Sequence, residues 1–178
     1  MNKFLIIFIF FVMPCFGQDT KSESIPNSKL TVSFPSDWNF SKPYIGEGKY
    51  SSIKVYLPKE EHGGYPGHPE FEFEFLESRS KDKRLKHILK NKHATKKIGG
   101  IKSKSFKYKS EVSYLLSDMS HSSATLEVYG YLVPISKGYL ICALTTQSSE
   151  EIEYIKYINV LETYCKSAVE SAKQPNKA

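Results

Sequence analysis

The sequence predicts an α+β fold, in which an antiparallel sheet of about six strands has helices packed against its faces and a long helix at its carboxyl end. Three patterns support this class. Apolar and polar residues alternate in several short segments, a narrow apolar stripe at helical spacing follows the third of them, and a longer helical stripe ends the chain. The order strand, strand, strand, helix, strands, hairpin, helix indicates the antiparallel sheet.

The first seventeen residues have the pattern of an export signal. Lys3 supplies a positive charge, residues 4–12 form an apolar run, and Gly17 ends a segment suited to signal cleavage. The run is shorter than the ~20 residues that a membrane-spanning helix needs. Pro14 is a poor fit to the small residue that precedes a lipidated cysteine, so Cys15 is not expected to be a lipoprotein anchor. We therefore expect a periplasmic or secreted chain without a transmembrane segment after cleavage.

The chain beyond the signal has the length of one domain. Residues 18–29 are polar without a period and are expected to form a flexible leader. Residues 30–172 carry the strand and helix patterns of a single α+β domain, and residues 173–178 are expected to be a disordered tail. We expect this domain to be a monomer.

Strands form the first half of the domain. Residues 30–34 alternate, and a turn leads directly to Trp38, the only tryptophan, which is expected in the core. Residues 53–57 form the next strand. The clearest strand spans residues 70–77, where three phenylalanines are expected to face the core and three glutamates the solvent.

Two helices and further strands form the second half. Residues 80–93 place a narrow apolar stripe among basic residues. Residues 104–116 alternate as one long strand or a tight hairpin, and residues 124–146 form a hairpin whose second strand is apolar on both faces. Such a strand lies centrally and has helices packed against the sheet. A capping pattern and an apolar stripe predict the terminal helix over residues 148–172.

Three segments carry a family resemblance. Residues 30–38 form a strand followed by Pro-x-x-Trp, Gly99-Gly100 opens a strand, and residues 138–146 lead into the capped terminal helix. Together they resemble the PsbP-like superfamily, which includes extrinsic photosystem proteins, a Ran-binding import factor and small exported bacterial proteins. Many members end the last helix near a Ser-Phe pair, whereas this chain has residues 165–168 (Cys-Lys-Ser-Ala) there. The resemblance implies the family's fold and a non-catalytic binding or accessory role, and it assigns no site residue.

Signal cleavage leaves two cysteines, Cys142 and Cys165. In an oxidising compartment the two thiols can pair, provided that the terminal helix packs on the central strand. The alternative is a pair of buried thiols that act as small hydrophobic residues.

A strongly basic segment lies between residues 79 and 109, where thirteen Lys or Arg accompany a single acid, Asp82. Such an excess indicates an anionic envelope surface or an acidic protein as partner, and a solvated helix face is the alternative. Nucleic acid is not expected, because the chain is exported and lysines outnumber arginines. The expected contact residues are Lys83, Arg84, Lys86, Lys90, Lys92, Lys96 and Lys97.

A glycine- and proline-rich loop, residues 60–70, holds two imidazoles and three carboxylates. His62, His68 and Glu70 are candidate ligands for zinc, copper or nickel, and an ordinary polar loop is the alternative.

The sequence contains no Walker loop, dinucleotide fingerprint or known hydrolase motif, so neither a cofactor nor an enzyme is expected. We expect an exported, non-enzymatic binding or accessory protein of the cell envelope. The alternatives are a hydrolase with an unrecognised site and a metal-binding periplasmic protein.

Overall fold

Strands dominate the architecture. A computed structural model describes residues 19–46, 50–58, 69–77, 83–90, 93–115, 121–147 and 151–173. Within these ranges the structure is 60% strand and 20% helix. The helices are α1 Lys83–Lys90 and α2 Glu151–Ser171, and the strands are β1 Thr20–Ser24, β2 Thr31–Pro35, β3 Asn39–Phe40, β4 Tyr44–Gly46, β5 Tyr50–Tyr56, β6 Glu70–Glu77, β7 Thr95–Ile98, β8 Ile101–Leu115, β9 His121–Ile135 and β10 Gly138–Gln147.

The predicted α+β class with about six strands is wrong. One curled antiparallel sheet runs in the order β3-β5-β6-β10-β9-β8-β7, and β4 also pairs with β5. The extra strands are the short β3, β4 and β7, which lie near the two edges of the sheet. In addition, β8 and β9 are each 15 residues long and remain paired from Lys104↔Leu132 to Leu115↔His121. The molecule is therefore mainly an antiparallel β structure with two helices among its described residues.

Part of the segment expected to be a flexible leader, residues 18–29, forms the strand β1. Strand β1 pairs with β2 along its whole length, from Thr20↔Pro35 to Ser24↔Thr31, and together they form a separate two-stranded sheet. Ile25, which follows β1, is fully buried. Because β1 itself is polar on both faces, its sequence lacks the alternation that identifies a half-buried strand.

The larger core lies between one face of the sheet, which we call the α2 side, and helix α2. Phenylalanines of β6, the cysteine of β10 and residues of β2 meet Leu161 and Ala168 of this helix. Trp38 is only 9% exposed, and its ring lies 5.4 Å from that of Phe71 and 5.6 Å from that of Tyr164. The expectation that this tryptophan belongs to the core is confirmed.

A smaller core covers the opposite face, which we call the α1 side. Leu85 and Ile88 of α1 pack against side chains of β8, β9 and β10 there. Glu70, Glu72 and Glu74 of β6 also point to this side, yet Glu74 is fully buried instead of facing solvent as predicted. Because α2 packs on one face of the sheet and α1 on the other, the alternation of apolar and polar residues along β6 does not separate core positions from solvent-exposed ones. Neither helix has the length and apolar content to cross a bilayer, as far as the described residues extend.

Candidate functional site

The β7–β8 hairpin divides the basic segment between the two sides of the sheet. Gly99 and Gly100 form its turn with φ angles of 54° and 81°, which glycine adopts readily. Ile98 and Ile101 flank the turn and contact the larger core, so both side chains point to the α2 side. Every second residue along β7 and β8 shares this side. Lys97 is therefore on the α1 side. Adjacent residues of a strand point to opposite faces, and this alternation decides the surroundings of each lysine.

Lysines of the basic segment on the α2 side are neutralised by acids. Lys96 Nζ lies 2.5 Å from Glu162 Oε2, and it also sits 5.9 Å from the centre of the Tyr131 ring. Lys107 Nζ lies 3.0 Å from Glu127 Oε2 and 4.5 Å from the centre of the Tyr129 ring. The hydrogen bond to Glu162 raises the pKa of Lys96, and hydrogen bonds to Tyr129 and Glu127 raise the pKa of Lys107. These cations therefore already have anionic partners within the chain.

A groove of about 490 Å³ lies among these pairs, between the β7–β9 part of the sheet and α2. Its walls combine the aromatic and aliphatic side chains of Tyr129, Tyr131, Ile158 and Leu161 with the two lysines, Lys96 and Lys107. Burial raises the pKa of Tyr131, which keeps its phenol protonated. His93 also lines the groove, and burial together with the positive charge of Lys104 lowers its pKa. The groove suits a neutral or zwitterionic molecule better than a simple anion, because its cations are paired.

Glu127 provides a test of these pairs. Its hydrogen bond from Lys107 lowers its pKa, so the stability that it contributes is present above its unfolded pKa of about 4.3 and is lost as the pH falls through the lower folded value. We expect Glu127→Gln to reduce the free energy of unfolding at pH 7 by up to about 1 kcal/mol. Urea unfolding measured from pH 7 to pH 3 should show this difference shrinking below about pH 4. Glu111→Gln, an exposed glutamate on β8, is the control, and an equal effect there would refute the pairing.

Lysines of the basic segment on the α1 side have no ion-pair partner among the described residues. Six exposed ammonium groups project from α1 and from the hairpin, and within the described chain none of them forms an ion pair. Two of them, Lys97 and Lys102, lie directly opposite each other in the hairpin register. Like charges in such cross-strand pairs repel, so an anion would relieve this repulsion. We call this surface the basic face, and its members are Lys83, Lys86, Lys90, Lys97, Lys102 and Lys104.

The basic face overlaps the sequence-based set without matching it. Lys83, Lys86, Lys90 and Lys97 are exposed on the α1 side, whereas Lys96 lies on the other side, paired with Glu162. Arg84 belongs to α1, but its side chain lies outside the described part. Lys92 also lies outside the described residues.

Two lysines of the basic face were missed from the sequence. Lys102 and Lys104 share the side of Phe106, a core residue of the α1 side, because they precede it by four and two positions on the same strand. The alternation through Phe106 was the available signal, and it would have placed both side chains on the face that α1 covers.

The proposed metal ligands are not brought together by any described contact. His62 and His68 lie outside the described residues, whereas Glu70 begins β6 and its Oε1 lies 2.7 Å from Lys54 Nζ. No group of three potential ligands occurs in the part of the chain that the structure describes. Glu70 thus has a structural partner in the neighbouring strand β5.

Cys142 and Cys165 form a disulfide between the central strand and helix α2. Cys142 in β10 and Cys165 in α2 are bonded with an S–S distance of 2.09 Å and a Cα–Cα separation of 5.9 Å. Both residues are fully buried in the larger core. The bond therefore fixes α2 to the middle of the sheet and has no exposed thiol to offer as a nucleophile.

Comparisons with known proteins give distant neighbours in fold. No family model matches the chain, and no curated protein matches it. A solved structure from Bacteroides thetaiotaomicron is 16% identical with a TM-score of 0.41, and the match covers 79% of this chain and 43% of that one. LpqN, which is involved in cell envelope biogenesis of Mycobacterium tuberculosis, is 15% identical with a TM-score of 0.33, and the match covers 83% of each chain. The PsbP-like resemblance stays a prediction, and this chain spans less than half the length of the Bacteroides chain.

Proposed function

We propose that this chain is an exported, non-catalytic accessory protein of the cell envelope that docks on an anionic membrane surface through its basic face. The observation that carries the proposal is the separation of the lysines. Lysines of the basic segment on the α2 side, such as Lys96 and Lys107, are paired with Glu162 and Glu127, whereas the six of the basic face are exposed and have no acidic partner among the described residues. A surface of this kind attracts anions over distances of about 8–10 Å at ordinary ionic strength.

The strength of this attraction fits reversible attachment. A lysine close to an anionic leaflet contributes about 1 kcal/mol. Six such residues supply up to about 6 kcal/mol, which corresponds to dissociation constants of tens of micromolar. Among the described residues, the acids of the sheet on this side, Glu70, Glu72 and Glu74, belong to β6, so the β7–β8 end carries the positive charge.

One apolar residue favours a bilayer over a soluble acidic polymer. Leu89 is 38% exposed on α1, and it lies within one turn of Lys86 and directly before Lys90. A leucine that enters the interfacial region of a bilayer loses apolar surface to water, which is worth up to about 1.5–3 kcal/mol. A hydrated polyanion offers no such gain.

Vesicle sedimentation tests the proposal. We expect binding to vesicles of mixed phosphatidylglycerol and phosphatidylcholine at low salt, little binding to phosphatidylcholine alone, and release as the salt concentration rises. Lys86→Gln/Lys90→Gln should weaken binding about thirtyfold, because each lysine contributes about 1 kcal/mol. Leu89→Ser should weaken it further without changing its salt dependence.

The matched control is Lys156→Gln/Lys166→Gln, which removes the same charge from exposed positions of α2 on the other side of the sheet. We expect this variant to bind as the unaltered protein does. Equal binding to both vesicle types, or equal losses in the two variants, would overturn the proposal. Binding to a soluble polyanion that Leu89→Ser leaves unchanged, with no binding to vesicles, would replace the membrane by an acidic polymer.

A further inference from the structure

A second cavity lies at the carboxyl end of α2, on the side of the sheet opposite to the basic face. It has a volume of about 240 Å³ and is enclosed by α2, the connection between β1 and β2, and the turn between β9 and β10. Its apolar part consists of Leu30, Phe75, Ile101, Ile135 and Val169. Leu30, Phe75 and Val169 are almost fully buried, whereas the two isoleucines are partly exposed to the cavity side. The cavity therefore has a preformed apolar floor.

The rim of this cavity is cationic. Lys29, Lys137 and Lys173 come from three segments that are far apart in the chain, and all three side chains are exposed. The described lining contains no acid. The carboxyl end of α2 contributes about half a negative charge, which is well below the charge of three ammonium groups.

One of these lysines is held in place. Lys173 Nζ donates a hydrogen bond to the carbonyl oxygen of Gly99 at 2.7 Å, which links the end of α2 to the β7–β8 turn. An ammonium group has three donors, so two remain for a ligand. Gly99 itself must lack a side chain, since a Cβ would lie 2.8 Å from Val169 Cγ1. The turn thereby packs directly against the residue that forms the cavity floor.

From this arrangement we infer that the cavity binds a small amphiphile with an anionic head and a short apolar tail. A simple inorganic anion would leave the apolar floor exposed to water, and a neutral apolar molecule would leave the lysines without a partner. A molecule with an anionic head and an apolar tail contacts the lysines and also covers the apolar floor. The volume is below the 300–1,000 Å³ of pockets that enclose drug-sized ligands, and it therefore selects a short tail. The inference is independent of the basic face, because the two surfaces lie on opposite sides of the sheet.

Calorimetric titration below the critical micelle concentration tests this site. The probes are octyl phosphate and octanoate, with octyl glucoside as the neutral-headed analogue and inorganic phosphate as the tail-free one. We expect saturable binding of one or both anionic amphiphiles and at least tenfold weaker binding of the two analogues. The affinities of octyl phosphate and octanoate, compared with each other, show whether the site prefers a phosphate or a carboxylate head. Backbone amide shifts in NMR spectra should be largest near Ile101, Ile135 and Lys137.

Variants locate the binding. Lys29→Gln/Lys137→Gln should weaken octyl phosphate binding about tenfold or more, because each exposed charge contributes up to about fivefold. Lys86→Gln/Lys90→Gln of the basic face should leave it unchanged. The inference is refuted if octyl glucoside or inorganic phosphate binds as tightly as octyl phosphate, if no anionic probe saturates, or if the two double variants lose affinity equally. Both variants alter exposed residues, and an unchanged melting temperature verifies that they fold.

Discussion

Reduction of the Cys142–Cys165 disulfide is expected to lower the free energy of unfolding by about 3–4 kcal/mol. The bond joins residues 23 positions apart, and closing a loop of this length removes conformational freedom mainly from the unfolded chain. The melting temperature should fall by about 10 °C, since a domain of this size loses about 2–4 °C for each kcal/mol. Guanidinium unfolding of the chain from residue 18 onward, with and without reductant, measures the change.

The matched control is Cys142→Ala/Cys165→Ala. Its unfolding midpoint should equal or fall below that of the reduced protein, and reductant should not change it. Thiol titration in denaturant without reductant should find no free thiol in the unaltered chain. Two free thiols, or an unfolding midpoint that reductant leaves unchanged, would show that the bond is absent or contributes nothing.

Replacement of Trp38 by alanine is expected to cost about 3–5 kcal/mol. The indole is 9% exposed and packs against Phe71 of β6 and Tyr164 of α2, so its removal leaves a cavity where the sheet, the helix and the chain after β2 meet. Trp38→Phe should cost less than half as much, because a smaller ring keeps part of these contacts. Circular dichroism should follow unfolding, since the variants lack the only tryptophan.

Phe40→Ala is the control for this prediction. Phe40 is an aromatic residue two positions further along, but it is 41% exposed and contacts Phe34 with ring centres 5.8 Å apart. We expect a cost of about 1 kcal/mol or less. Similar losses for Trp38→Ala and Phe40→Ala would contradict the role of the tryptophan as the buried contact between layers.

Sequence patterns identified elements that have a strong apolar period or a continuous apolar run. Strand β6 and helix α2 were placed by periods of two and of about 3.6 residues, and the β9–β10 hairpin by the apolar run of β10. The class was still wrong. Strand β1 has polar residues on both faces, and the short strands β3, β4 and β7 are too brief to show a period.

The basic face shows the same limit at the level of single residues. The excess of charge in residues 79–109 is visible in the sequence, but the surroundings of each charge depend on strand parity and on partners far along the chain. Lys96 and Lys97 are neighbours in sequence, yet only Lys96 meets Glu162, which is 66 positions away. No local pattern reports that contact, so the seven residues predicted from the sequence mixed paired and unpaired lysines.

Burial of the disulfide also has a kinetic consequence. Cys142 and Cys165 are fully buried in the folded chain, and Cys165 belongs to α2. An oxidising catalyst must therefore act while α2 is still detached from the sheet, before the core closes. In the finished protein a reductant reaches the bond only when α2 lifts away. The rate of reduction under native conditions thus measures how often this helix opens.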